Sequence, residues 1–143
     1  GGARVGMMGA LGDAARTAGA HTLGIIPQSL VDIEVADPAS DELVVTSGMF
    51  ERKSVMIDRS DAFLTLAGGL GTLDELFEVW TTATLRIHDK PIVLLDTDGF
   101  YDGLVGWLTG LKQQNFTYEG AMDRLHVVPT VDAALDLIES LLP

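Results

Sequence analysis

Residues 64–80, LTLAGGLGTLDELFEVW, set three glycines and a threonine between an apolar run and an acidic segment of helical spacing. Gly68, Gly69 and Gly71 open backbone angles closed to other residues and let a ligand come close to the main chain. Leu70 sits inside that turn, and Thr72 reads as the start of a helix. A helix beginning just after a strand presents unpaired N–H groups and the positive end of its dipole, which together seat a phosphate or a carboxylate. Two readings of Glu75 follow. Thr72-Leu73-Asp74-Glu75 fits a capping box, in which the glutamate bonds back to the N-cap. A cap, however, has no use for three preceding glycines, and a carboxylate beside an anion seat is a costly neighbour unless it has a task.

A second group lies in MFERKSVMIDRSD, residues 49–61. On a helical wheel Met49, Phe50, Met56 and Ile57 form an apolar arc, with Lys53 inside it and Arg52 at its border. Either the two cations snorkel, laying their stems on apolar surface with their charges in water, or they are buried against an anionic partner such as a phosphate or a carboxylate. Asp96 and Asp98 follow an apolar run, yet DTDG is also ordinary turn chemistry. Met7, Met8 and Trp107 are most simply core, and Glu34, taken alone, passes as a solvated charge.

The elements that must hold these residues alternate. Residues 5–19 read as a helix ending on glycine, 21–27 as a β-rich run stopped by Pro27, and 28–40 as a loop. ELVVT is a short strand, 48–60 a helix, AFLTL a strand and 72–85 a helix that packs Leu73, Leu76, Phe77, Trp80 and Thr84 on the sheet. KPIVLLD, residues 101–115, LHVVP and residues 131–142 then read as strand, helix, strand and helix. Short apolar strands alternating with helices call for a parallel sheet covered on both faces, hence an α/β, Rossmann-like three-layer fold in a single domain over 1–143. Ligands of such sheets bind at the carboxyl ends of the strands, where the glycine turns fall.

Composition narrows the partners. A net charge of −12, with nine Lys and Arg scattered singly, would repel a nucleic-acid backbone but leaves room for one phosphate held by glycine N–H groups. The chain has no cysteine, so a disulfide framework, a thiolate nucleophile and a Cys-type zinc site are all excluded. Its three histidines are far apart in sequence, which argues against a metal cluster. No apolar run is long enough to span a bilayer and no signal peptide is evident, so a cytoplasmic, membrane-free protein is expected. The opening GGARVGMMG is a glycine-rich turn of the kind that follows a strand, and a leading strand and helix are expected ahead of it.

MFERK, SDAFLTLAGGLGTLDE and IHDKPIVLLDTDGFYDGL together resemble the LOG (Lonely Guy) family of cytokinin riboside 5′-monophosphate phosphoribohydrolases, whose hallmark is M-x-x-R-K followed by P-G-G-x-G-T-x-x-E. The similarity runs over nearly the whole chain. It implies hydrolysis of the N-glycosidic bond of a nucleoside 5′-monophosphate, without metal or redox cofactor, in a homodimer. It implies catalytic roles for Arg52 and Glu75 and nucleotide contacts from Lys53, Gly68, Gly69, Leu70, Gly71, Thr72, Leu73 and Asp74, with Glu34 and Thr81 matching less securely. The alternative is a nucleotide carrier on the same fold that catalyses nothing. Two departures stand out: Ala67 replaces the motif proline, which should loosen the turn, and Arg86 replaces a small or apolar residue, bearing on the pocket rim or the dimer surface. The older label of the family, possible lysine decarboxylase, fits poorly. A pyridoxal-dependent decarboxylase needs a Schiff-base lysine and a larger cofactor domain, and only Lys53, Lys90 and Lys112 are present.

Overall fold

The computed structural model describes residues 1–33, 35–118 and 120–143. The chain divides into two compact units, Gly1–Ser60 and Asp61–Pro143. Within each unit the strands named below pair in parallel, with helices between them, as the alternating pattern requires, and an isolated bridge between Ala3 and Ala36 is antiparallel.

In the first unit, α1 (Gly6–Thr17) leads to β1 (Leu23–Pro27), a short α2 (Gln28–Asp32), β2 (Glu42–Thr46) and α3 (Met49–Arg59). β1 and β2 form a two-stranded sheet in which Leu23 stands opposite Glu42 and Pro27 opposite Thr46. α3 packs against both strands, and Ile25 and Ile26 carry the core of the unit. The segment expected to be a loop from residue 28 instead opens with α2. Pro27 closes the strand and supplies the extended residue before the helix, and Gln28 donates from Nε2 to Asp32 Oδ1 at 2.8 Å across one turn.

The second unit holds β3 (Phe63–Thr65), α4 (Leu70–Thr84), β4 (Ile92–Leu95), α5 (Asp102–Gln113), β5 (Leu125–Val128) and α6 (Val131–Leu141). Its sheet runs β3-β4-β5, with Phe63 opposite Ile92 and Ile92 opposite Leu125. Central β4 is buried throughout, which is why IVLL reads as an unbroken apolar run rather than an alternation. α4 lies on β3 and α6 on β4. The buried face of α4 is Leu76, Val79, Trp80 and Ala83, rotated from the predicted arc so that Leu73, Phe77 and Thr84 are only half-buried. Trp80 sets that rotation, because its Nε1 donates to the Ala121 carbonyl at 2.7 Å and fixes the helix about its axis. Met7, Met8 and Trp107 are not core: all three are exposed, and α5 buries Leu108 on the face away from Trp107.

Three helices stop in the same way. After α1, α4 and α5 the chain turns left-handed at Gly19, Arg86 and Asn115, with φ of 82°, 61° and 60°. At α4 the N–H of Arg86 bonds to Ala83 and that of Ile87 to Thr82, the paired bonds of a Schellman end. The structure thus gives the exposed Arg86 a conformational part in stopping the helix.

Candidate functional site

In the second unit the glycine turn joins the end of β3 to α4, and the helix begins earlier than its sequence suggests. Gly69 is the N-cap, Leu70 the first helical residue, and the Leu73 N–H bonds to the Gly69 carbonyl. The N–H groups of Leu70, Gly71 and Thr72 therefore have no acceptor within the helix and point out of its positive end. Thr72 is in the first turn rather than at the cap, with its side chain packed on Gly68: a Cβ at Gly68 would lie 2.7 Å from Thr72 Cβ. Apart from chain neighbours and the helix's own backbone, no heavy atom lies within 4 Å of where a Cβ would sit on Gly69 or Gly71, so these two residues border open space. Leu70, Gly69 and Gly71 are exposed.

This start removes the capping box. Glu75 is the sixth residue of α4, no side chain caps Gly69, and the carboxylate is too far along the helix to bond back to the cap. It is half-buried, while Asp74 is exposed. Thr81 stands six residues beyond Glu75, about 9 Å along the helix at 1.5 Å per residue, on the exposed face that carries Asp74. The structure thus gathers Gly68, Gly69, Leu70, Gly71, Thr72, Leu73 and Asp74 at one helix end, with Glu75 at the start of its second turn and Thr81 away from it.

In the first unit the two cations are not snorkelling. Arg52 and Lys53 are 6% and 8% exposed, more buried than the apolar residues around them, and Phe50 is 84% exposed. The helix has turned its charged edge inward. Arg52 Nε donates to the Ile25 carbonyl at 3.0 Å, and a Cβ on Gly1 would sit 2.8 Å from Arg52 Nη2. Lys53 Nζ lies 5.5 Å from the centroid of the Phe50 ring, within cation–π range. Ahead of α3, Glu51 Oε2 accepts from Ser47 N at 2.7 Å and from Ser47 Oγ at 2.6 Å. Those bonds, the side-chain one first, hold the Glu51 carboxyl below its ordinary range. A first-turn carboxylate thus occupies the start of α3, while the first turn of α4 carries none. Glu34 lies outside the described residues.

One residue of the second unit carried no signal in the motif. Tyr101 is 3% exposed, and its hydroxyl donates to the Leu66 carbonyl at 2.8 Å, just ahead of the glycine turn. The clue available in sequence was an aromatic with a polar tip directly after a turn, since a buried tyrosine hydroxyl usually finds a partner.

The comparisons with known proteins agree in kind. A family model described as "Possible lysine decarboxylase" matches residues 8–138. A Mycobacterium tuberculosis protein named cytokinin riboside 5′-monophosphate phosphoribohydrolase is 53% identical over 135 residues, 94% of this chain and 72% of the relative. The Arabidopsis thaliana protein LOG2, of the same name, is 39% identical over the full 143 residues, which span 67% of it. The rice protein LOG is 40% identical, again over the full chain, which covers 59% of that relative. Among solved structures, the molybdenum cofactor binding protein from Rippkaea orientalis aligns with a TM-score of 0.69 at 23% identity, over 98% of this chain and 74% of that one. That likeness is one of fold.

Proposed function

The chain belongs to the family described as possible lysine decarboxylase, and from that membership we propose that it hydrolyses the N-glycosidic bond of a nucleoside 5′-monophosphate to free base and ribose 5-phosphate. Support comes from relatives named as phosphoribohydrolases at up to 53% identity over 94% of the chain. The observation that carries the reading is the start of α4 at Leu70: it turns the glycine segment into an anion seat and releases Glu75 from any capping duty.

In the proposed reaction the 5′-phosphate rests on the N–H groups of residues 70–72, where charge-assisted hydrogen bonds and the helix dipole favour it. Binding energy gained there positions the sugar. As the glycosidic bond lengthens, the ribose becomes oxocarbenium-like. A carboxylate beside the anomeric carbon stabilises that charge and takes a proton from the attacking water, and the departing base leaves with the electrons of the broken bond. Glu75 is assigned this part and Arg52 that of a cation holding phosphate or glutamate, with Lys53, Glu34 and Thr81 as further contacts. No metal or redox cofactor enters these steps. The substrate is a cytokinin nucleotide, AMP or both. A homodimer is part of the proposal, and in the first unit the exposed Met49 and Phe50 are apolar surface suited to it.

The test is turnover of AMP and of N6-isopentenyl AMP, followed as release of free base and ribose 5-phosphate, with the matching nucleosides as controls. Glu75→Gln should lower kcat about 10²- to 10⁴-fold while nucleotide binding persists. Release from neither nucleotide, with unmodified nucleotide recovered from the wild-type complex, would sink the hydrolase reading and leave the carrier.

A further inference from the structure

Ala67 gives the approach to the glycine seat no ring constraint of its own, so something else must hold that path. The residue after it, Gly68, is pressed against Thr72, and the residue before it, Leu66, offers its carbonyl to Tyr101 Oη at 2.8 Å. One buried hydroxyl therefore grips the peptide that joins Leu66 to Ala67, donating to its carbonyl.

Tyr101 is in turn aimed by the DTDG turn. Asp96 follows β4, its N–H bonds to the Val128 carbonyl at 2.8 Å, and its Oδ1 accepts from the Tyr101 N–H at 2.6 Å. Between them the chain passes through left-handed residues at Asp98 and Gly99, with φ of 54° and 72°, and the Phe100 N–H bonds to the Thr97 carbonyl at 3.2 Å. Phe100 meets the Tyr101 ring edge-on at 4.8 Å between centroids. Asp96 and Asp98, readable from sequence as site residues or as turn formers, act here as turn formers, and what they set is the direction of one phenol. Burial pushes that phenol above its ordinary value of 10.0, which keeps its proton in place as a donor at neutral pH.

We propose that Tyr101 is a positioning residue for the anion seat: its hydroxyl pins the peptide between Leu66 and Ala67 and so fixes the angle at which the glycine turn enters α4. The inference rests on reading that turn as the seat of the substrate phosphate. It places a further chain segment, from the end of β4, behind a glycine motif that runs from the end of β3 into α4.

Tyr101→Phe keeps the ring and its packing and removes one oxygen. Amide exchange at Leu73, whose N–H bonds to the Gly69 carbonyl, should become about five- to tenfold faster, with β5 and α6 unchanged. KM for AMP should rise by a similar factor while kcat stays within about twofold, since binding is weakened alike in the ground and transition states. Faster exchange spread evenly over the unit, or an unchanged KM, would make the hydroxyl a general structural bond and overturn the proposal. In the wild type, a Leu73 amide exchanging as fast as an open peptide would overturn it with no variant, so a misfolded variant leaves the question decidable. Should the wild type hydrolyse neither nucleotide, the proposed reaction falls by that result. The Kd for inorganic phosphate then replaces KM as the readout for Tyr101, decided in the same way.

Discussion

Gly68 and Gly71 sit three residues apart in one turn, yet the structure separates what each is for. An alanine at Gly71 would meet no atom within 4 Å beyond its chain neighbours and its own helix backbone. It would also replace a residue poorly suited to a helix, inside the first turn of α4. On stability alone Gly71→Ala should be neutral or favourable, by up to about 1 kcal/mol, which is about 3 °C in Tm for a chain of this size. An alanine at Gly68 would place its Cβ 2.7 Å from Thr72 Cβ and 3.0 Å from Thr72 Cγ2. Thr72 is branched at that carbon and cannot swing clear, so the turn must deform at a cost of about 1–3 kcal/mol. Function should follow the opposite order of explanation. In a helix each Cβ leans toward the N-terminus, so the Gly71 methyl enters the space over the N–H groups. Displacing a phosphate from one charged hydrogen bond there is worth about 1.5–3 kcal/mol, or roughly a 10- to 100-fold rise in KM. Thermal melts of both variants beside AMP hydrolysis provide the assay. A Gly71→Ala protein as stable as the wild type and with kcat/KM within twofold of it would refute the anion seat.

Other expectations are more local. His88 Nε2 faces the Val79 carbonyl and Thr82 Oγ1, both at 3.1 Å, while Nδ1 accepts from the Lys90 N–H at 3.3 Å. Burial, as the main cause, lowers its pKa from 6.5, so its neutral form supports the fold fully above that value. As the pH falls through 6.5 toward the lower folded value, the unfolded chain takes up the proton first and stability declines. Melts from pH 8 to pH 5 should show a smaller fall for His88→Gln than for the wild type, and parallel curves would contradict the assignment. Trp80→Phe leaves the buried Ala121 carbonyl without its 2.7 Å partner and should lower stability by about 1–3 kcal/mol in chemical denaturation. Arg86→Gly relieves a left-handed arginine and should raise stability by about 1 kcal/mol, and a fall would show that the side chain contributes more than its backbone costs.

What the sequence showed and hid follows from which forces are local. The strand run at residues 92–95 was legible because burial on both faces leaves no room for polar residues, and the glycine turn because no other residue gives that backbone freedom. The start of α4 was misplaced because Thr72 looks like a cap. Its hydroxyl side chain instead packs on Gly68, a contact three-dimensional in origin, and the helix extends back to Leu70. The wheel of α3 put Met49 and Phe50 inward and left Arg52 open. The structure buries Arg52, whose Nε meets a backbone carbonyl 27 positions earlier in the chain, a partner no local pattern could reveal. Tyr101 was passed over for the same reason: its partner at Leu66 lies 35 positions away.

α4 is tied at both ends. At its start the turn is gripped by Thr72 and by the phenol of Tyr101. At its finish Arg86 and Ile87 close the last turn, and His88 folds back onto the Val79 carbonyl. A fifteen-residue helix held in this way is a strut about 22 Å long whose length is set by its two anchors. It has no slack to slide by a residue along β3, and a displacement imposed at the far end would reach the glycines as a rotation of the whole rod. The tolerance of the seat is then set partly at residues 86–88, which lie a helix length away from any ligand it holds.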